Sequence, residues 1–534
     1  MKILNITTTL IFVLVSLLLS FPGQVVTEFD TPCSFPVGLT FDGKNLWLSD
    51  YKADALICID PGTGKSLRQI PSPGFWPAGL AWDGSYLWNV DSKQKKIFKV
   101  DPKDGGILFV VDSPTANPEG LTWDGQTLWV SDPRAKKINR IDLSDGTAVK
   151  TLTAPAQSAN GLTFDGFYLW CADRLEDEIY MLDPESGKVI IIFKSPGPYP
   201  RGLAWDGQNI CNVDFQNDKI YMLVRQDNEL FSLDDTRHAR VTLTHEVKTS
   251  GNGLLRDLNV YYAIPENLNQ QEILNIEYSP ETFENVTDRW DQRFAYFHYK
   301  NIKPETPQRT IMTVETKISA ITYYIFPDKV GSLNDIPADL YEKYTANGSK
   351  YKIDDPYIQK LAKEVVGDER NPYWIARRIF DYIRTTLEYK LEGGWNVAPV
   401  VLQRGTGSCS EYSFSFIALC RAAGLPARYV GAVVVRGDET SLDEYFHRWP
   451  EVYLPHYGWI PIDPQGGDKD LPRDRANSIG RLSNRFLITT QGGGDSKYIG
   501  WYYNSYETWT ADPQVQVNIE TFGEWQPVER IKGK

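Results

Sequence analysis

A single period constrains this chain more than any other feature. The motif Gly-Leu-x-aromatic-Asp-Gly begins at Gly38, Gly79, Gly120, Gly161 and Gly202, each copy 41 residues after the last. Every copy continues through an apolar stretch to an aspartate: Asp50, Asp91, Asp132, Asp173 and Asp214. A third short run follows, such as Lys96–Asp101 or Lys137–Asp142, and a fourth, such as Gly106–Val111, leads into the next copy. Asp-Gly and Pro-x-x-Gly turn signals separate the runs, as antiparallel hairpins require. Four strands in about 40 residues is one propeller blade. The fifth copy has only three runs, ending at Tyr221–Val224, while Gln24–Phe29 precedes the first copy unassigned. Pairing those two segments closes the ring without an open edge. The reading is an all-β five-bladed β-propeller over residues 24–235; a six-bladed ring with one degenerate blade is the alternative. The recurrent aspartates are read as turn and strand-end acceptors rather than metal ligands. Trp47, Trp88, Trp129 and Trp170 are read as packing between blades.

Lys2 followed by the apolar run Leu10–Phe21 reads as a secretory signal over residues 1–23, because about a dozen apolar residues is too short to span a bilayer comfortably. No later segment is long and apolar enough for a membrane helix, so the mature chain is expected outside the cytoplasm with no membrane span. A net charge of −13 argues against nucleic acid and anionic membranes as partners. The six cysteines, Cys33, Cys58, Cys171, Cys211, Cys409 and Cys420, show no metal-type pairs and no dense disulfide framework. A Cys171–Cys211 pair is open to oxidation in an exported protein. Neither a metal nor a cofactor is called for.

Residues 236–345 lose the repeat. Runs such as Leu258–Ile264, Phe294–Tyr299 and Ile311–Lys317 predict a β-sandwich, with no chemistry of its own. Helical signals then take over, and residues 346–534 are read as a further domain with a C-terminal β extension. Asp355-Pro356 and Asn371-Pro372 each read as an N-cap followed by proline in the first turn. Ser408-Cys409-Ser410-Glu411 reads as a capping box that opens a buried helix ending at Gly424. Cys409 then lies in the first turn, where free N–H groups and the positive helix end favour a thiolate and can hold an oxyanion. Cys420, near the other end among apolar neighbours, reads as core. Phe446–Leu454 and Trp459–Asp463 read as a hairpin. A turn centred at position 455 sets His447 opposite Asp463, and a later centre needs a bulge to restore that pairing.

Gly407-Ser-Cys409, Ala422–Gly431, His447-Arg-Trp449-Pro-Glu451-Val-Tyr453 and Gly458–Pro464 together resemble the transglutaminase-like superfamily, over roughly residues 350–490. The resemblance implies a papain-like α+β catalytic domain. It implies Cys409 as nucleophile, His447 as general base and Asp463 as the residue that orients it. A second oxyanion donor is not placed; Trp395 and Gln403 are the candidates upstream. The substrate expected is a protein or peptide amide, transferred to an amine or to water, with proteolysis or a non-catalytic scaffold as the rival outcomes. The propeller, outside that resemblance, is expected to recruit a protein or polymer partner.

Overall fold

The computed structural model describes residues 21–391, 394–437, 441–443 and 446–528. The signal read over residues 1–23 falls largely outside them. Five four-stranded antiparallel sheets follow the repeats. Blade 1 is Pro36–Phe41, Leu46–Asp50, Ala55–Ile59 and Ser66–Pro71; blade 4 is Ala159–Phe164, Leu169–Asp173, Glu178–Leu182 and Val189–Lys194. Blade 5 takes its outermost strand from the N-terminal segment: Val25–Asp30 pairs antiparallel with Lys219–Val224, with Glu28 opposite Tyr221 and Asp30 opposite Lys219. First and last segments therefore seal the ring.

Each conserved position of the repeat has a physical task. In four copies the aspartate of the Asp-Gly turn accepts two backbone N–H groups and the indole N–H of the tryptophan five residues on. The indole distances are 2.8 Å for Trp47–Asp42, 2.9 Å for Trp88–Asp83, 2.9 Å for Trp129–Asp124 and 2.8 Å for Trp170–Asp165. The strand-end aspartates bind backbone as well: Asp91 accepts from Trp76 N at 2.6 Å and Asp214 from Tyr199 N at 2.7 Å. The first glycine of each copy faces the backbone of the next blade. A Cβ on Gly38 would collide with Ala78 O, on Gly120 with Asn160 O, on Gly161 with Arg201 O, and on Gly202 with Leu39 N of blade 1. Only glycine lets the inner strands close around the axis. Gly161→Ala is accordingly expected to destabilise the propeller by about 2–3 kcal/mol, since rigid backbone and not a flexible side chain must move. Denaturant unfolding followed by circular dichroism measures it.

Two further sheets form the sandwich. One runs Gln271–Ser279, Gln308–Tyr323, Phe231–Gly251, Val515–Pro527, Ser441–Asp443; the other runs Glu284–Thr287, Arg293–Ile302, Leu255–Ala263, Ser505–Ala511. The last strands of the chain thus return to complete both sheets. Val241, Leu243, Val260, Tyr262, Phe297 and Val314 fill the space between them.

The α+β domain places helices Pro356–Val366, Pro372–Thr386, Ala398–Arg404 and Cys409–Ala422 against a sheet ordered Gly458–Pro461, Phe446–Leu454, Ala427–Val434, Phe486–Gly492. The caps form as the sequence indicates. Asp355 accepts from Tyr357 N at 2.8 Å and Asn371 from Tyr373 N at 2.9 Å, with proline at the first turn of each helix. Blade 4 docks on this domain. Arg377 Nη1 donates to Val189 O at 3.1 Å and Arg481 Nη2 to Ile192 O at 2.9 Å. Lys188 pairs with Asp381 at 2.7 Å, and Arg473 Nε reaches Glu178 at 2.6 Å. The propeller therefore grips the helix Pro472–Ala476, which follows Asp463 in the chain. No helix among the described residues is long and apolar enough to cross a membrane.

Candidate active site

The nucleophile candidate is presented by a helix whose start is heavily specified. Glu411 reaches back so that its Oε2 accepts from Ser408 N at 3.0 Å, the return half of the capping box. Its Oε1 accepts from Asn396 N at 3.0 Å and from Arg404 Nη2 at 3.0 Å. Glu411 is fully buried, so one carboxylate ties the Cys409 helix to the loop and the short helix before it. Cys409 is the first helical residue and is partly exposed, whereas Cys420 is fully buried eleven positions on. Cys420 belongs to the buried apolar core of the domain, which leaves it a packing role, and burial pushes its thiol well up.

His447 and Asp463 meet, though by a different route from the hairpin count. The turn is centred at position 456: Leu454 opposes Gly458, Tyr453 opposes Trp459 and Glu451 opposes Pro461. Extending that register puts Asp463 across from Trp449, so it is a diagonal neighbour of His447 on the same face and not its direct partner. No bulge restores the pairing. Instead the second strand ends at Pro461 and the chain turns, with Ile462 N bonded to Pro450 O at 2.9 Å and Asp463 N to Ser478 O at 2.8 Å. That turn delivers Asp463 Oδ2 to His447 Nε2 at 2.8 Å. Asp463 Oδ1 is held by Gln465 N at 3.1 Å and Gly466 N at 2.9 Å. Both carboxylate oxygens are committed, which fixes the orientation of the imidazole. With Nε2 turned to Asp463, Nδ1 is the nitrogen left for the thiol.

The charges reinforce one another. Burial by itself would raise the Cys409 thiol, but the hydrogen bond and charge of His447, and then the charge and backbone N–H of Arg448, bring it below its ordinary value. Burial works against a charged His447 ring; the charge and hydrogen bond of Asp463, followed by those of Cys409, outweigh it and push the imidazole up to about 10. Asp463 is held below the usual carboxylate range, burial being overcome by His447 and the two backbone N–H groups. The arrangement favours a thiolate–imidazolium pair whose titration belongs to the pair and not to either member.

Of the two weaker oxyanion candidates, Trp395 lies in the wall of the site. Its ring packs edge-on against Tyr503 with centroids 5.9 Å apart. Gln403 stands on the exposed face of its helix, away from the buried contacts that hold the site. The sequence reading missed Tyr503 altogether. Its hydroxyl hydrogen-bonds Ser410 Oγ at 2.7 Å and also the Cys409 thiol, and burial together with that thiol raises it. The backbone N–H of Arg448 is a second donor at the sulfur. Neither could be found from motif spacing, because Tyr503 arrives from a distant loop and Arg448 acts through its main chain. Among the described residues no cluster of three or more His, Cys, Asp or Glu side chains could hold a metal ion, and all six cysteines are unpaired, Cys171 and Cys211 included.

Residues 359–464 match the model of the transglutaminase-like superfamily, and this stretch is a transglutaminase-like domain. The uncharacterised YebA protein of Bacillus subtilis is 25% identical over 153 residues, which cover 23% of this chain and 21% of that one. An uncharacterised protein of Haemophilus influenzae is 21% identical over 238 residues, covering 38% of this chain and 63% of its own length. The chain thus spans about a fifth and somewhat under two thirds of these curated relatives. A solved structure of a candidate cysteine protease from Cytophaga hutchinsonii is similar over 55% of this chain and 93% of its own, at 16% identity and a TM-score of 0.40.

Proposed function

We propose that this protein is an exported cysteine acyl-transfer enzyme that acts on protein or peptide amides. The observation that carries the reading is the 2.8 Å bond from His447 Nε2 to an Asp463 anchored by two backbone N–H groups, beside a thiol in the first turn of a helix. In this scheme the Cys409 thiolate attacks the amide carbonyl. The oxyanion that forms faces the N–H groups at the helix start, and the Arg448 N–H and Tyr503 hydroxyl beside the sulfur are further donors. The imidazolium of His447 gives its proton to the departing amine, leaving a thioester on Cys409 and a neutral imidazole. An incoming amine or water then loses a proton to His447 as it attacks the thioester, and the thiolate leaves. Asp463 holds the ring in one orientation throughout. An amine acceptor gives a crosslink; water gives deamidation.

The propeller is assigned the role of substrate or partner recruitment. A cavity of 270 Å³ at one face of the ring supports this role. Tyr51, Trp76, Tyr199 and Phe215 line it, with Arg201 and Glu119 paired at 3.0 Å within it. Blade 4 is joined to the segment after Asp463 through Arg473, so a partner held by the ring stays tethered to the cleft.

A glutamine-containing peptide incubated with the protein and a primary amine tests the reading by mass spectrometry. The expected product is an amine adduct, or a gain of about one dalton when no amine is supplied, from the exchange of NH₂ for OH. A cleaved peptide would reassign the chemistry to proteolysis. No covalent change across a panel of glutamine peptides and protein substrates would favour a scaffold.

A further inference from the structure

Arg448 follows His447 in the strand, so its side chain points to the opposite face, toward the Cys409 helix. It is fully buried. Its guanidinium carbon lies 4.3 Å from the ring centroid of Tyr503, 4.6 Å from Tyr429, 4.9 Å from Trp395 and 5.1 Å from Phe414. One nitrogen, Nη2, donates to Trp501 O. The other two, Nε and Nη1, are buried and find no acceptor among the described residues. A buried cation with unsatisfied donors costs several kcal/mol unless negative charge or ring faces offset it. Four ring faces offset part of that cost. Asp495, the nearby carboxylate, is committed to Trp501 Nε1 at 2.9 Å and Ser349 N at 2.7 Å; a further negative charge at hand is the sulfur of Cys409, to which Arg448 also points its backbone N–H.

We propose that Arg448 is the fixed counter-charge of the nucleophile. Walled by four aromatic rings, its guanidinium adds a constant positive charge to that of His447 in holding Cys409 as a thiolate, and keeps Trp395 and Tyr503 in place as the walls of the cleft. It is a positioning residue: it acts through the thiol and the rings and exchanges no proton, since a guanidinium stays protonated at any working pH. His447 differs, for it must lose its proton during the reaction and cannot supply a constant charge. The inference rests on Cys409 being the nucleophile.

None of the remaining ionisable groups that face the sulfur supplies a constant positive charge. His447, with Asp463 behind it, forms the proton-transfer pair. Tyr503 and Tyr389 are both raised, each by burial first and by the neighbouring thiol after it, and stay neutral. Glu411, on the same helix, is committed to Ser408, Asn396 and Arg404. The aromatic wall also explains why the cation is not screened: water does not reach the guanidinium.

The pH dependence of Cys409 alkylation by iodoacetamide, read by peptide mass spectrometry in the full-length chain, tests this without a known substrate. Arg448→Lys keeps the charge and is expected to hold the midpoint within about 0.3 pH unit of the parent. Arg448→Met removes the charge at similar volume and is expected to raise the midpoint by about one unit or more, a tenfold loss of thiolate below it. An Arg448→Met protein with parental melting and an unmoved midpoint overturns the proposal. Should that variant fail to fold, Trp395→Leu decides: opening one wall admits water to the guanidinium, and the midpoint must rise, by about half a unit, or the proposal falls. A parent protein whose Cys409 is unreactive at mildly acidic pH counts instead against the nucleophile assignment itself, so the two failures are distinct.

Discussion

Cys409→Ala is expected to reduce amide turnover to background, a loss of at least about 10⁴-fold in kcat with the fold intact. The side chain is small and partly exposed, so its truncation leaves little cavity. His447→Ala is expected to fall nearly as far, because it removes both the proton donor to the leaving amine and the principal group holding the thiol ionised. Asp463→Ala is expected to cost less, about 10³–10⁴-fold, since it frees the ring to rotate while leaving the thiol and imidazole in reach. The double variant Cys409→Ala with His447→Ala should be no worse than either alone, as befits groups that act as a unit. Kinetics on whichever amide the peptide assay identifies measure all four. Multiplicative losses in the double variant would mean that the two residues act separately.

Glu411→Ala is expected to destabilise the catalytic domain by about 3 kcal/mol. The carboxylate is fully buried and accepts from Ser408 N, Asn396 N, Asn396 Nδ2 and Arg404 Nη2, between 3.0 and 3.3 Å. Removing it strands two backbone donors where water does not easily replace it. The Arg404 contribution is discounted, because that side chain keeps 32% of its surface in solvent. Glu411→Gln retains an acceptor and the shape, and should lose about half as much. Denaturant midpoints of the catalytic-domain transition measure both. Equal midpoints for parent and Glu411→Ala would mean that the capping network adds nothing to stability. Because the same carboxylate sets the helix start, the alanine variant should also slow Cys409 alkylation.

Much of the architecture was legible because the propeller is a repeat. A glycine that must touch the next blade's backbone recurs in all five copies, and an aspartate that must receive an indole N–H in four of them, at one spacing, so each copy repeats the constraint of the last. Ring closure could be counted for the same reason. The sandwich was legible only in part: its strands read as β, but the return of Ser505–Ala511 and Val515–Pro527 to complete it is a non-local pairing that no local pattern encodes.

The candidate site divides along the same line. Cys409, its cap and the His447 strand are local signals and could be read. The relation of His447 to Asp463 depends on where a turn is centred. His456 takes a positive φ of 73° there, which shifts the centre by one residue and the pairing by two. Side-chain direction has period two, so a two-residue offset keeps both groups on one face, and the strand's early end brings them together. Arg448 lies inside the motif around His447, yet nothing in the local pattern marks its role. Its aromatic cage is gathered from positions 395, 414, 429 and 503, which meet only in the folded chain. Tyr503 was invisible for the same reason.

The central claim is that Cys409 stands ionised because His447 stands beside it. Iodoacetamide labelling at about pH 6, with the parent protein and His447→Ala compared site by site, tests it most directly. Rapid labelling of Cys409 is expected in the parent, with no measurable labelling of the buried Cys420 on the same timescale and at least a tenfold slower Cys409 in His447→Ala. Equal, slow labelling of Cys409 in both proteins would contradict it.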